Sequence, residues 1–166
     1  MMSLLPSLLI LGTALLLSVF LSYRGAFPAA DSPNSSRLRH ALFIATLLQS
    51  GHFAEEAITG FHIQFPALFG LQAMPFMLFM AFNLLWIGLW LAAIIGIKNQ
   101  MRIALVPAWF LAIAGSLNGV AHPAMALLVE GYFPGLYSAP IVGFACVWLW
   151  VRLMRATRYA SHSSTS

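Results

Sequence analysis

Long apolar runs alternate with short polar segments along most of the chain. A helix needs about 20 mostly apolar residues to cross the hydrocarbon layer of a membrane. Five runs have this length, and polar side chains repeatedly interrupt only the second. They cover residues 3–22, 40 to about 60, 73–97, 103 to about 129, and 133–153. The pattern predicts an all-α polytopic membrane helix bundle with five transmembrane helices.

The sequence also predicts a loop after the first run and a polar tail at the C-terminus. Residues 25–36 include Pro28, Asp31, Pro33 and Asn34, which is typical of a loop. The first run is too long for a secretory signal and has no basic residue before it, so we expect it to be a retained span. The Ser-rich residues 159–166 are expected to form a disordered cytoplasmic tail. Residues 1–158 are therefore interpreted as a single transmembrane domain.

Composition excludes a soluble domain. Of the 166 residues, 61% are hydrophobic and only 7% are charged, whereas soluble domains average about 25% charged residues. The net charge of +4 comes from eight Lys and Arg against four Asp and Glu. Nucleic-acid binding needs a clustered basic face, and here the basic residues stand at the ends of apolar runs. We expect the lipid bilayer as partner and no nucleic acid, and the oligomeric state stays open.

The distribution of Lys and Arg predicts the orientation, because cytoplasmic loops carry an excess of both. With five spans, three basic segments fall on one side of the membrane, and the N-terminus and the other two loops contain none of these residues. The N-terminus is then outside and the C-terminus cytoplasmic, with a bacterial plasma membrane as the expected location of this multi-pass protein. The basic residues are Arg24, Arg37, Arg39, Lys98, Arg102, Arg152, Arg155 and Arg158.

The second run carries an unusual stripe of polar side chains. His52 and Glu56 are separated by four positions and Glu55 follows His52 by three, while Gln49 lies one turn before. Residues with these spacings share a helix face. An acid at the centre of a span costs about 2.5–3.5 kcal/mol on insertion scales. We therefore expect the stripe to face protein or a water-filled cavity.

Polar residues of other spans are predicted to reach the same depth. Asn118 and His122 are again four positions apart, and Asn83 lies in the third run. A rise of about 1.5 Å per residue puts Glu56 and Asn118 each about 24 Å from the inner ends of their spans. This agreement favours one shared site in the outer half of the bilayer. Glu130, in the next outer loop, is a candidate for the site's mouth.

Several of these residues also have ordinary structural interpretations. Buried polar groups can simply hold helices together, at about 0.6 kcal/mol per contact, and we favour this for Gln49 and Asn83. His40 is interpreted as an interfacial residue and His62 as an outer-loop residue. Cys146, the only cysteine, is interpreted as a small buried apolar residue.

The polar stripe resembles a known signature. His52-Phe-Ala-Glu55-Glu56 is similar to the His-x-x-Glu-Glu motif of the HXXEE domain family of small membrane proteins. The segments Asn118-Gly-Val-Ala-His122 and Tyr132-Phe-Pro-Gly135 resemble later segments of that family. The resemblance runs from about residue 40 to 152. It implies a membrane protein without an established activity and underlines the importance of these residues.

Two histidines and two carboxylates suit a divalent metal with an open position for water, such as zinc or iron. In this hypothesis His52, Glu56 and His122 are the ligands, and Glu55 is a general base or a partner of the ligands. The zincin motif HExxH does not occur. The catalytic candidates are His52, Glu55 and Glu56, and the further ligand or supporting candidates are Gln49, Asn83, Asn118, His122 and Glu130. Apolar walls predict a lipid or other hydrophobic substrate.

Three alternatives remain open at this stage. Without a metal, the adjacent glutamates could act as acid and base, because neighbouring buried carboxylates raise each other's pKa. A proton or cation transporter would also use intramembrane acids, although so few spans would then require an oligomer. The third alternative is a membrane assembly partner with no enzymatic role.

Overall fold

The computed structural model describes residues 5–158, and this part is built from helices alone. Three of them are long and apolar enough to cross a membrane, namely Phe76–Lys98, Arg102–Leu128 with its 3₁₀ turn, and Ala139–Thr157. The α-helices are α1 (Leu5–Arg24), α2 (Pro33–Thr59), α3 (Phe61–Ala67), α4 (Phe76–Lys98), α5 (Leu105–Leu128) and α6 (Ala139–Arg158), with a 3₁₀ turn at Arg102–Ala104. The all-α prediction is confirmed. The predicted tail, 159–166, lies outside the described residues.

Helix α2 begins seven residues earlier than the apolar pattern predicts. Ser32 caps it, because its hydroxyl accepts a hydrogen bond from the Ser35 amide at 3.1 Å. Pro33 occupies the first turn, where its fixed φ angle suits the helix and its missing N–H costs nothing. The predicted loop 25–36 is therefore wrong at its C-terminal end, because a proline interpreted as a loop residue starts the helix.

Helix α6 begins six residues later than predicted. Pro134 and Gly135 interrupt the apolar run, and Gly135 has a φ angle of +85°, which is costly for any residue with a side chain. Residues 129–138 form the α5–α6 loop instead, and the Ala139 amide donates to the Gly135 carbonyl at 2.9 Å. The short helix α3 is a second feature that the pattern did not predict.

Helix α5 packs against α1 and α6, and α2 packs against α4 and α6. The crossing of α5 and α6 is close because glycines face each other. A Cβ added to Gly119 would lie 2.7 Å from the Cα of Gly143. Gly115 and Gly119 form the G-x-x-x-G spacing that lets membrane helices approach closely. This contact sets the position of the C-terminal half of α5, which carries Asn118 and His122.

Hydrogen bonds join the helix ends that carry the basic residues. The Arg102 guanidinium donates to the Ser22 and Tyr23 carbonyls at 3.3 and 3.1 Å. The Gln100 side chain donates to the Pro28 carbonyl at 3.1 Å, and the Ala26 amide donates to the Thr157 carbonyl at 3.1 Å. The ends of α1, α4 and α6 and the start of α5 therefore meet at one end of the bundle, which we call the basic end.

Candidate metal site

Three buried side chains from two helices converge near the other end of the bundle. His52 and Glu56 lie one turn apart on α2, and His122 comes from α5; their exposed fractions are 0%, 6% and 1%. One carboxylate oxygen of Glu56 lies 3.6 Å from Nε2 of His52 and 3.4 Å from Nε2 of His122. The two imidazole rings meet edge to face, with centroids 4.7 Å apart. We call these three residues the His/Glu cluster.

The hydrogen bonds of the other ring nitrogens assign the histidine tautomers. Nδ1 of His122 lies 2.6 Å from the Pro134 carbonyl oxygen, which can only accept, so this nitrogen carries the proton. Nδ1 of His52 lies 2.8 Å from the Ser138 hydroxyl oxygen. That hydroxyl donates to the Glu55 carboxylate in a short hydrogen bond, and it therefore accepts from His52. In its neutral form, each imidazole therefore has its lone pair on Nε2, the atom directed at Glu56.

This geometry fits a divalent metal ion. The candidate ligand atoms of His52, Glu56 and His122 all lie within 4.8 Å of one another. Zinc binds nitrogen and oxygen at about 2.0–2.2 Å, so two ligands of one tetrahedral ion lie about 3.3 Å apart. The two Glu56–histidine distances are close to this value. Hydrogen bonds that orient both histidines through Nδ1 are also typical of metal-ligating histidine.

Glu55 points to the α5–α6 loop rather than to Nε2 of either histidine. Its carboxylate accepts from the Tyr132 hydroxyl at 2.8 Å and from the Tyr137 and Ser138 amides at 3.2 and 2.9 Å. The two amides immediately precede the N-terminus of α6, where an anion is stabilised by the helix dipole. Burial raises the pKa of Tyr132, and the Glu55 carboxylate raises it further, so the phenol stays protonated as a donor.

The α5–α6 loop covers the histidines closely. A Cβ added to Gly135 would lie 2.7 Å from Nδ1 of His122 and 2.7 Å from Cε1 of His52. Phe133 is fully buried, and its ring centroid lies 5.9 Å from those of Phe61 and His122. Glycine at 135 is therefore required by both the φ angle and the space available.

A cavity of about 500 Å³ borders the cluster. Glu56 and His122 line it, and most of the remaining wall is aliphatic or aromatic. The amide nitrogen of Asn118 makes a long contact, 3.5 Å, with Nε2 of His52. Three neutral amides contribute polar groups to the wall, those of Gln49, Asn83 and Asn118. Asn83 also donates to the Phe79 carbonyl at 2.9 Å on its own helix.

The structure brings together most of the predicted site residues, with Glu130 as the exception. Glu130 is exposed just after α5 and does not line the cavity formed by the described residues. His40 is exposed, and the His62 ring packs against Phe76 with centroids 5.0 Å apart. Cys146 is fully buried.

The sequence interpretation missed Ser138 and the Pro134 carbonyl, which hold the histidines. A backbone carbonyl leaves no residue-type signal. In the sequence, only the candidate residue Glu130 and the resemblance of residues 132–135 to a family segment pointed to this loop.

The fold and the cluster together define a class of protein. It is a helical protein of membrane-type composition with a buried pair of histidines and one glutamate beside a largely apolar cavity. No protein-family model, curated protein or solved structure matches the chain.

Proposed function

We propose that this chain is an intramembrane enzyme that uses one divalent metal ion, held by His52, Glu56 and His122, to act on a lipid or other hydrophobic substrate. The observation that carries the proposal is the convergence of two Nε2 nitrogens and one carboxylate oxygen in a buried position. Hydrogen bonds at Nδ1 orient the two histidines, and α2 places Glu56 one turn after His52.

Charge balance supports the presence of a cation. A buried carboxylate is costly unless it is paired or binds a metal. The basic nitrogens within 4.0 Å of Glu56 belong to the two histidines in the described chain, and a histidine that binds a metal does so as neutral imidazole. Arg24, Lys98 and Arg102 lie at helix ends that meet at the basic end. The two positive charges of a divalent ion would balance the negative charges of the Glu56 and Glu55 carboxylates.

Two histidines and one carboxylate are the ligand set of hydrolytic zinc sites and of non-haem iron sites. A bound ion of this kind supplies Lewis-acid polarisation of a carbonyl or activation of water. The chain's own groups would then orient the substrate. Asn118 is placed to donate to an oxygen beside the cluster, and Glu55 holds His52 through Ser138.

Elemental mass spectrometry of the detergent-purified full chain tests the proposal. We expect close to one zinc or iron per chain, and loss of that metal in the His52→Ala, His122→Ala double variant. The control is the His40→Ala, His62→Ala double variant, which removes two histidines outside the cluster and should keep its metal. Zinc would direct activity assays to hydrolysis and iron to oxidation.

Unchanged metal content in the first double variant, or no metal in the unaltered protein, would contradict this function. The second result would leave Glu55 and Glu56 as an acid–base pair without a metal. Folding of each variant can be checked separately, because Cys146 is the only cysteine and is buried. A thiol-reactive dye therefore reports thermal unfolding.

The membrane orientation and the family are part of the same proposal. We propose five spans in a bacterial plasma membrane, with the N-terminus outside, and membership of the HXXEE domain family. The hydrogen bonds that gather α1, α4, α5 and α6 at the basic end support the orientation, and the family rests on the resemblance of residues 52–56, 118–122 and 132–135 alone. Reporter fusions after residues 30, 70, 100, 131 and 158 should place residues 30, 100 and 158 in the cytoplasm, and any other pattern would contradict this orientation.

A further inference from the structure

The wall of the cavity contains no cationic side chain among the described residues that form it. The polar residues on it are Gln49, Glu56, Asn83, Asn118 and His122, together with the indoles of Trp86 and Trp90. A phosphate or carboxylate head group would add a negative charge beside Glu56, with no Lys or Arg on the wall to balance it. A divalent ion at the cluster would not remove this cost, because Glu55 and Glu56 already balance its two charges. Burying an unpaired charge in this way is very unfavourable. The cavity therefore selects against anionic lipids.

The amides on the wall provide a suitable partner for an uncharged head group. Gln49 is 6% exposed, and its amide oxygen has no hydrogen-bond partner in the described structure. It precedes Glu56 by seven residues, or about 10 Å along α2. Together with Asn83 and Asn118 it offers donors and acceptors to hydroxyl and carbonyl groups but no net charge.

The open side of the cavity lies along the sides of helices. Ile10 and Leu15 of α1 and Leu78 and Phe82 of α4 line it, and their exposed fractions range from 37% to 52%. All four are apolar residues within their helices, and α4 is one of the helices long enough to span a membrane. An opening of this kind faces hydrocarbon rather than water.

We infer that the cavity binds an uncharged lipid with a hydroxyl- or carbonyl-bearing head group, which enters sideways from the bilayer between α1 and α4. The chain of the lipid lies against the aromatic wall, and its head group reaches Asn118 and the His/Glu cluster. The position of the head group rests on the proposed function, whereas the choice of an uncharged lipid rests on the cavity alone.

Photo-crosslinking with two matched lipids tests this inference. The first probe is a monoacylglycerol with a diazirine in its acyl chain, and the second is the lysophosphatidic acid with the same chain. The full-length protein is held in phosphatidylcholine nanodiscs, and labelled residues are mapped by mass spectrometry. We expect the neutral probe to label cavity-lining residues of α1 and α4 at least tenfold more than the anionic probe. Equal labelling by both probes would overturn the inference.

Variants that fill the cavity separate it from the general lipid-facing surface. Ala114→Phe and Leu78→Trp place bulk in the cavity or at its mouth and should reduce labelling by the neutral probe at least fivefold. Val120→Phe is the control on α5, because Val120 is 72% exposed and does not line the cavity. Labelling that persists in both filling variants would contradict the inference.

Metal content measured on the same samples distinguishes the two proposals. Ala114 precedes His122 by eight residues, about 12 Å along α5, so its variant should keep the metal. Selective labelling in a protein without metal would overturn the metal-dependent function and support the lipid site. Bound metal without selective labelling would overturn the lipid site and support the metal-dependent function.

Discussion

The hydroxyl oxygen of Ser138 lies 2.8 Å from Nδ1 of His52, although the two residues are 86 positions apart in the chain. Ser138 in turn donates to Glu55, which lies three residues after His52. These hydrogen bonds join the start of α6 to the C-terminal third of α2. This connection fixes both the tautomer and the orientation of His52, and it suggests tests that separate the roles of neighbouring residues.

Ser138→Ala should weaken metal binding without removing a ligand. Loss of a group that orients a metal-bound histidine typically lowers metal affinity about 10–100-fold. Competition with a chromogenic chelator measures this affinity. Ser138→Thr keeps the hydroxyl and should retain most of the affinity. The control is Ser116→Ala, because within residues 5–158 the Ser116 hydroxyl hydrogen-bonds only to the Ala112 carbonyl on its own helix. Equal affinities of Ser138→Ala and Ser116→Ala would show that Ser138 does not position His52.

Substitutions of the two adjacent glutamates should have different effects. Glu55→Gln removes the anion at the N-terminus of α6 and should lower stability by about 1–2 kcal/mol, while the metal is retained. Glu56→Gln should lose the metal, because a neutral amide is a poor ligand. Thermal unfolding followed through Cys146 and metal analysis measure the two effects. Glu130→Gln, at an exposed acid, should change neither. Loss of metal in Glu55→Gln but not in Glu56→Gln would reverse this assignment.

Gly135→Ala should disturb the cluster directly. The added methyl group would stand 2.7 Å from atoms of both histidines, and the φ angle of +85° would be strained. A left-handed conformation alone costs a residue with a side chain about 1–2 kcal/mol. We expect a lower unfolding temperature and metal content reduced by more than half. Gly131→Ala is the matched control, since its nearest contact would be 3.7 Å away; similar behaviour of the two variants would exclude this steric argument.

Gly119→Ala should weaken the contact between α5 and α6. Its methyl group would meet the backbone of Gly143 at 2.7 Å, and backbone cannot move aside as a flexible side chain can. Overpacking of this kind costs about 1–3 kcal/mol. Gly88→Ala on α4 is the control, because an added Cβ there would meet nothing within 4 Å. The unfolding temperature should fall only for Gly119→Ala, and a fall of the same size in both variants would contradict the close crossing.

The described structure agrees with much of what the sequence predicted, for reasons that are local. A low charged fraction and long apolar runs are sufficient to predict helices of membrane-type composition, and three such helices are found. The spacing of His52 and Glu56 is sufficient to place them on one helix face. The same spacing places Asn118 and His122 on one helix face. The sequence therefore predicted the residues that α2 and α5 each contribute to the site.

Helix limits were less predictable where turn residues lie inside apolar sequence. Pro33 starts α2 rather than belonging to a loop, and Pro134 and Gly135 delay α6 although their neighbours are apolar. Hydropathy does not distinguish an apolar loop packed over a site from the first turn of a span. The hydrogen bonds of Ser32 and of the α5–α6 loop determine where α2 and α6 begin.

By itself, the sequence determined the helical, membrane-type character of the chain and the polar stripe that had to be buried. Only the tertiary structure decided which of the two adjacent glutamates meets the histidines, because consecutive residues point about 100° apart on a helix and either face could have turned inward. The packing of α2 against α6 directs Glu55 to the α6 N-terminus and Glu56 to His122. Contacts between residues so far apart in the chain depend on that packing, which no local pattern encodes.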